Sequence, residues 1–183
     1  MDTPTKQSEP KLSKNKIISL IILISLVVVA VLLRSFVFGT YVIPSESMED
    51  TLLVSDNIIG NKLAYKNNVP QQGDIIIYNT DQVYIKRVIA LPGQTIDIRE
   101  GNVYVDGKEL NETYIKGSTF PTKIGDMNKI QYPYTIPDNK LFVMGDNREN
   151  SKDSRYIGPI DIDSIEAKPI FIIFPFNRFG SLQ

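Results

Sequence analysis

The chain has 183 residues, 42% of them hydrophobic, with no cysteine, no histidine and a formal net charge of −1. Without cysteine there are no disulfides, thiol nucleophiles or thiolate metal sites; without histidine the usual general base and the commonest zinc ligand are both missing. The charge is uneven: residues 35–183 hold fifteen basic and nineteen acidic side chains, a balance of −4 with no basic stripe for phosphates, so nucleic acid is not an expected partner.

In chain order, residues 1–16 are rich in Pro, Ser, Thr and Lys and read as a disordered tail. Ile17–Leu33 is a run of seventeen uncharged residues, mostly Ile, Leu and Val. At 1.5 Å per residue it spans about 25 Å, a little less than a hydrocarbon core. A snorkelling Arg34 and the apolar Ser35–Phe38 segment close the deficit, so residues 17–38 are expected to form a single membrane anchor. A cleavable secretory signal fits less well, because the run is longer than a signal core and no small-x-small site follows it. Lys6, Lys11, Lys14 and Lys16 precede the run and only Arg34 follows closely. The positive-inside bias then puts the tail in the cytoplasm and residues 39–183 outside, in a single-pass cell-membrane protein.

Beyond the anchor, Thr40–Ile43 reads as extended and Pro44 fixes its own φ. Residues 51–63 allow a short strand. Ile75–Tyr78 is a β-branched run expected as a buried strand, and Val83–Ile89 is the next, closed by Leu91-Pro92-Gly93. Thr95–Arg99 and Asn102–Val105 are short strands joined at Glu100-Gly101, and Asp106-Gly107 is a second hairpin signal. Residues 107–139 show little periodicity and read as a variable insertion with one hairpin at most. Lys140–Met144 and Ala167–Phe174 complete the strands. Short strands, many turns and no helix outside the anchor predict a mainly β domain over 39–183.

Three stretches carry possible chemistry. Ser45 and Ser47 lie in Ile43-Pro44-Ser45-Glu46-Ser47-Met48, a pattern that taken alone favours a surface turn over a nucleophile. A serine hydroxyl needs a base, and with histidine absent that base is a carboxylate or an uncharged lysine. Strand alternation puts Tyr84, Lys86 and Val88 on one face, where apolar neighbours can strip the lysine of its charge. Taken alone, however, the segment favours Lys86 and Arg87 as exposed charges at a strand edge; Arg87 stays protonated in either case. The third stretch is the polar run Gly145–Arg155, which suits a solvated loop or a hydrogen-bonded scaffold around a neighbouring site. Arg148, third in the run that starts at Asp146, breaks the calcium-loop pattern, so no metal is expected there.

Taken in order, these segments resemble the bacterial type I signal peptidases, in their short Gram-positive form. The resemblance runs over nearly the whole chain: basic tail, anchor, Pro-Ser-x-Ser-Met, Gly-Asp before an apolar run, Tyr-x-Lys-Arg-Val-Ile-x-Leu-Pro-Gly, and Gly-Asp-Asn-Arg-x-Asn-Ser-x-Asp-Ser-Arg. It implies the β fold shared with self-cleaving repressors and a Ser/Lys dyad, with Ser47 as nucleophile and Lys86 as general base. Ser45 would join the backbone N–H of Ser47 in the oxyanion hole, Ser151 would orient the Lys86 amine, and Asp146, Asp153 and Arg155 would hold the polar loop. Ile43, Pro44, Met48, Leu52, Tyr84 and Ile85 would line shallow pockets for small-x-small residues. The short link from the anchor to Ser47 would keep the site near the membrane surface. No cofactor is implied, and the implied partners are secreted preproteins carrying signal peptides, together with the lipid bilayer. The sequence departs from the common pattern at Asp50, where proline is usual, at Ala90 for glycine, and at Gln94 and Glu149 for aspartate. A non-catalytic anchored homologue that binds exported chains is the alternative reading; a repressor with the same dyad would need a DNA-binding helical domain.

Overall fold

The computed structural model describes residues 13–121 and 130–182. The first twelve residues of the expected tail and residues 122–129 of the expected insertion lie outside them.

Two units make up the chain, divided between Val37 and Phe38. The first carries one helix, α1 (Lys14–Phe36), none of whose residues is buried. Its 23 residues are long and apolar enough to cross a membrane once. The helix ends at Phe36, and Phe38, read from the sequence as part of the anchor, starts the first strand of the second unit.

That unit is mainly β. Its larger sheet contains β1 (Phe38–Val42), β2 (Asn57–Asn61), β3 (Ile75–Asn79), β4 (Val83–Ala90), β9 (Lys140–Met144), β10 (Ile160–Asp161), β11 (Ile165–Phe174) and β12 (Gly180–Ser181). The order is β1-β2-β11-β3-β4-β9-β10, with β12 also on β11. Within 51–63 only Asn57–Asn61 is strand, because residues 51–56 form the turns that leave the Ser47 segment. A smaller sheet is ordered β7 (Lys108–Glu109), β6 (Asn102–Val105), β5 (Thr95–Arg99), β8 (Tyr134–Thr135). Its turns are those the sequence signals: Glu100-Gly101 and Asp106-Gly107 all have positive φ, as a two-residue hairpin requires. The short strands β7 and β8 of the expected insertion pair with β6 and β5, not with each other.

The sequence of β3 explains the position of the core. Ile75 and Ile77 point into one cluster with Met48, Leu52, Ile58 and Ile85, while Ile76 and Tyr78 point into another with Tyr84, Val88 and Val143. A strand buried on both faces reads as an unbroken apolar run. β4 lies beside it with β9 on its far side, and from Tyr84 to Ala90 it is buried throughout. Lys86 and Arg87 are thus interior residues of a central strand, not charges at a sheet edge. One helical turn that the sequence did not signal, α2 (Ser154–Ile157), follows the polar loop and is capped by the Asp153 side chain.

Candidate active site

Ser47 is presented by a single 3-10 turn, Glu46–Met48, entered from an extended Ser45. Met48 and Leu52 are anchored in the core, which fixes the turn from below. Glu49 (φ −56°, ψ 147°) and Asp50 (φ 80°) then form a type II turn, closed by the Thr51 N–H donating to the Met48 carbonyl at 3.1 Å. Asp50 therefore occupies a conformation that proline, locked near −65°, cannot reach. Ser47 is left 7% exposed.

Lys86, in the middle of β4, reaches across to this turn. Its Nζ donates to Ser47 Oγ at 2.7 Å and to its own neighbour's carbonyl, Ile85 O, at 3.0 Å. The Tyr84 ring lies 5.8 Å from Nζ, and Lys86 is 3% exposed. Burial pushes its pKa down to about 8, while the Asp153 and Asp146 carboxylates act in the opposite sense. About one molecule in ten then has a neutral amine at pH 7. Ser45 Oγ is 3.4 Å from Ser47 Oγ, long for an O–H···O bond.

The polar loop closes around the back of this pair. Asp146 is fully buried and takes a two-pronged bond from Arg87, Nε to Oδ1 at 2.9 Å and Nη2 to Oδ2 at 2.7 Å. The Thr51 hydroxyl donates to the same carboxylate at 2.6 Å, and the Asn147 N–H donates to the Ser47 carbonyl at 3.1 Å. Asp153 receives the Gly145 N–H at 3.0 Å and both Nε and Nη2 of Arg155, while Arg155 Nη2 also donates to the Arg148 carbonyl. Gly145 matters for space: a Cβ there would sit 2.4 Å from Ser47 O and 2.3 Å from Ser151 Oγ. Ser151 does not make the bond expected of it. Its Oγ is buried beside Gly145 without a hydrogen-bond partner among the described residues, and Lys86 Nζ is directed to Ser47 and Ile85 instead.

A cleft of about 590 Å³ opens in front of Ser47 and Lys86. Ile43, Pro44, Met48, Tyr84 and Ile85 line it as expected, and Ser45 joins them. Leu52 does not. It is 0% exposed, because the type II turn directs its side chain into the core. The sequence reading missed Tyr41, Val42, Gln82, Val83, Asn150 and Lys152 on the cleft wall. It also missed the supports of the polar loop. Arg148 is held by Glu112, by Thr119 Oγ1 at 2.6 Å and by the Gly145 carbonyl, and the Tyr114 ring lies 4.0 Å from the Arg87 guanidinium. Glu112, Tyr114 and Thr119 come from the segment read as a variable insertion, and no local pattern marks them. Gln94, in aspartate's usual place, still accepts the Leu91 N–H at 2.8 Å.

A buried amine whose charge burial disfavours, 2.7 Å from a serine hydroxyl on the floor of an apolar cleft, is equipped for acyl transfer through that oxygen. The family model described as signal peptidase, peptidase S26, matches residues 15–174. A probable signal peptidase I-1 of Synechocystis sp. is 40% identical over 169 residues, covering 85% of this chain and 81% of that protein. Signal peptidase I P of Bacillus subtilis subsp. natto is 38% identical over 176 residues, covering 92% and 95%. A crystal structure of a signal peptidase I from Enterococcus faecalis is 33% identical, with a TM-score of 0.47, and covers 54% of this chain and 95% of that one. With a family match over most of its length and relatives of this identity over more than four-fifths of theirs, the chain belongs to the signal peptidase I family of S26 peptidases.

Proposed function

We propose that this protein is a membrane-anchored serine endopeptidase that removes signal peptides from exported preproteins, with Ser47 as nucleophile and Lys86 as general base. The observation that carries the reading is the 2.7 Å contact between Lys86 Nζ and Ser47 Oγ, both groups being buried. The neutral amine takes the Ser47 proton as Oγ bonds to the scissile carbonyl carbon. The oxyanion that forms accepts hydrogen bonds from the Ser45 hydroxyl and the Ser47 N–H, a term worth about 3–4 kcal/mol for one strong donor. As the C–N bond breaks, protonated Lys86 returns its proton to the leaving amine. An ester to Ser47 remains. Lys86 then removes a proton from water, the hydroxide attacks the ester carbonyl, and the Ser47 oxygen leaves and recovers its proton.

The apolar wall formed by Ile43, Met48, Tyr84 and Ile85 would receive the small-x-small residues before the bond. Asp146, Asp153 and Arg155 hold the loop that backs the site. With α1 as a single span, the lysines before it put the tail in the cytoplasm and the β domain outside, where exported chains emerge. The test is cleavage of a preprotein by the full chain in detergent, read as a new amino terminus. Wild type gives the mature sequence, whereas Ser47→Ala and Lys86→Ala do not. Cleavage by either variant at the wild-type rate would falsify the assignment.

A further inference from the structure

The segment that carries Ser47 is fastened at its base by a residue far away in sequence. Arg178, in the short turn Phe176–Arg178 after β11, donates Nε to Asp56 Oδ1 at 3.0 Å and to Oδ2 at 3.2 Å. Its Nη2 donates to Asp56 Oδ2 at 2.9 Å and to the Thr51 carbonyl at 3.1 Å. Asp56 is 1% exposed, and its carboxylate also accepts the Leu53 N–H at 2.8 Å. Its own carbonyl receives the Ile43 N–H at 2.9 Å, and the Ser55 N–H donates to the Ile43 carbonyl at 2.9 Å.

The arrangement has a plain geometric meaning. Ile43 lies four residues before Ser47 and Thr51 four residues after it. One planar guanidinium holds both stems: the incoming one through Asp56, which is paired with Ile43, and the outgoing one directly at Thr51. Between the stems, Pro44, Ser45, Glu46 and Asp50 are exposed and add little packing. On the side towards the polar loop, Thr51 is tied by its hydroxyl to Asp146 at 2.6 Å. Beside the buried Met48 and Leu52 and the Asn147 N–H on the Ser47 carbonyl, two fastenings on Thr51 help to set the Ser47 oxygen against Lys86, and one of them depends on Arg178. A lysine cannot replace it, because a single ammonium lacks the fork that meets a carboxylate and a carbonyl together.

We propose that Arg178 is a positioning residue for cleavage, which clamps the two stems of the nucleophile segment and so keeps Ser47 Oγ in register with Lys86 Nζ. The inference rests on Ser47 being the nucleophile. Displacement of a reacting atom by about 1 Å costs up to a hundredfold in rate, so loss of the clamp is expected to lower kcat about tenfold or more. KM stays within about twofold of wild type, because Arg178 is not part of the cleft wall. The pH at which the rate rises is expected to be unchanged, since the burial and the Asp153 and Asp146 carboxylates that set the Lys86 pKa are not touched.

The experiment uses the full chain in detergent and normalises kcat to folded protein well below each variant's Tm. Arg178→Met leaves the Asp56 carboxylate buried and uncompensated, which is itself destabilising. The decisive protein is therefore Arg178→Met combined with Asp56→Asn, in which both charges are removed and an amide oxygen remains for the Leu53 N–H. It is expected to fold and to show the fall in kcat with KM and pH profile retained; Arg178→Lys is intermediate. Arg99→Met, at a surface ion pair, changes neither parameter. A lower Tm with kcat per folded molecule within twofold of wild type overturns the proposal and leaves Arg178 a structural residue only. Ser47→Ala is run in parallel: if it cleaves like wild type, the nucleophile assignment falls and the inference falls with it. If it is inactive while the double variant is fully active, only the inference falls.

Discussion

Replacing Lys86 by methionine separates the cost of burying the amine from its use. The fall of its pKa from 10.5 to about 8 corresponds to about 3 kcal/mol of stability withheld from the fold while the amine is charged in both states. Below pH 8 the folded and unfolded chains both carry the proton, and the whole cost is present. As pH rises through 8 the folded protein loses its proton while the unfolded chain keeps its own up to 10.5, so stability recovers across that window. Lys86→Met has no amine to desolvate, but it forfeits the hydrogen bonds to Ser47 and Ile85, at about 1 kcal/mol each. At pH 7 the variant is thus expected to be inactive yet about 1 kcal/mol more stable than wild type. By pH 10 the order reverses, the difference having moved by about 2 kcal/mol. The assay is urea unfolding of the full chain in micelles between pH 7 and pH 10, followed by tyrosine fluorescence. The chain has no tryptophan, and all nine tyrosines lie beyond residue 38, so the signal belongs to the β domain. A stability difference that stays constant over this range would refute the reasoning, because it would mean that the amine is not desolvated.

Two further substitutions test the turn and the loop behind it. Gly145→Ala places a methyl group 2.4 Å from Ser47 O and 2.3 Å from Ser151 Oγ, so the nucleophile or the loop must move. Expected are a loss of about 1–3 kcal/mol in unfolding free energy and a fall of about a hundredfold in kcat, measured by thermal unfolding and by preprotein cleavage. At Asp50, whose φ is 80°, glycine relieves the left-handed conformation and should stabilise by about 1 kcal/mol. Asp50→Pro should instead destabilise by more than about 1 kcal/mol, since its ring forbids that φ. A proline variant as stable as wild type would contradict the type II turn.

Much of the β domain can be read locally. The run Ile75–Tyr78 has no polar interruption because β3 is covered on both faces, and the hairpins at Gly101 and Gly107 follow from residues that tolerate positive φ. The alternation around Lys86 was also legible: Tyr84 and Val88 share one cluster and Ile85 joins another. Composition, by removing histidine and cysteine, narrowed the choice of base. The pairing of Ser47 with Lys86, in contrast, came from resemblance, because nothing local shows that residues 39 positions apart will meet. The scaffold was illegible for the same reason. Arg87 finds Asp146 across 59 positions and Arg148 finds Glu112 across 36, and a charged residue in sequence looks the same whether it will be solvated or buried against such a partner. Leu52 shows the opposite failure: the resemblance suggested the cleft, but its side chain is fully buried in the core with Met48 and Ile58.

The rate of preprotein cleavage as a function of pH tests the pairing of Ser47 with Lys86 most directly. With Lys86 as the base, kcat/KM should climb from pH 6, pass through its midpoint at about pH 8 and level off near pH 9, unaffected by metal chelators. A rate that is flat from pH 6 to pH 9, or one abolished by chelation, would contradict it.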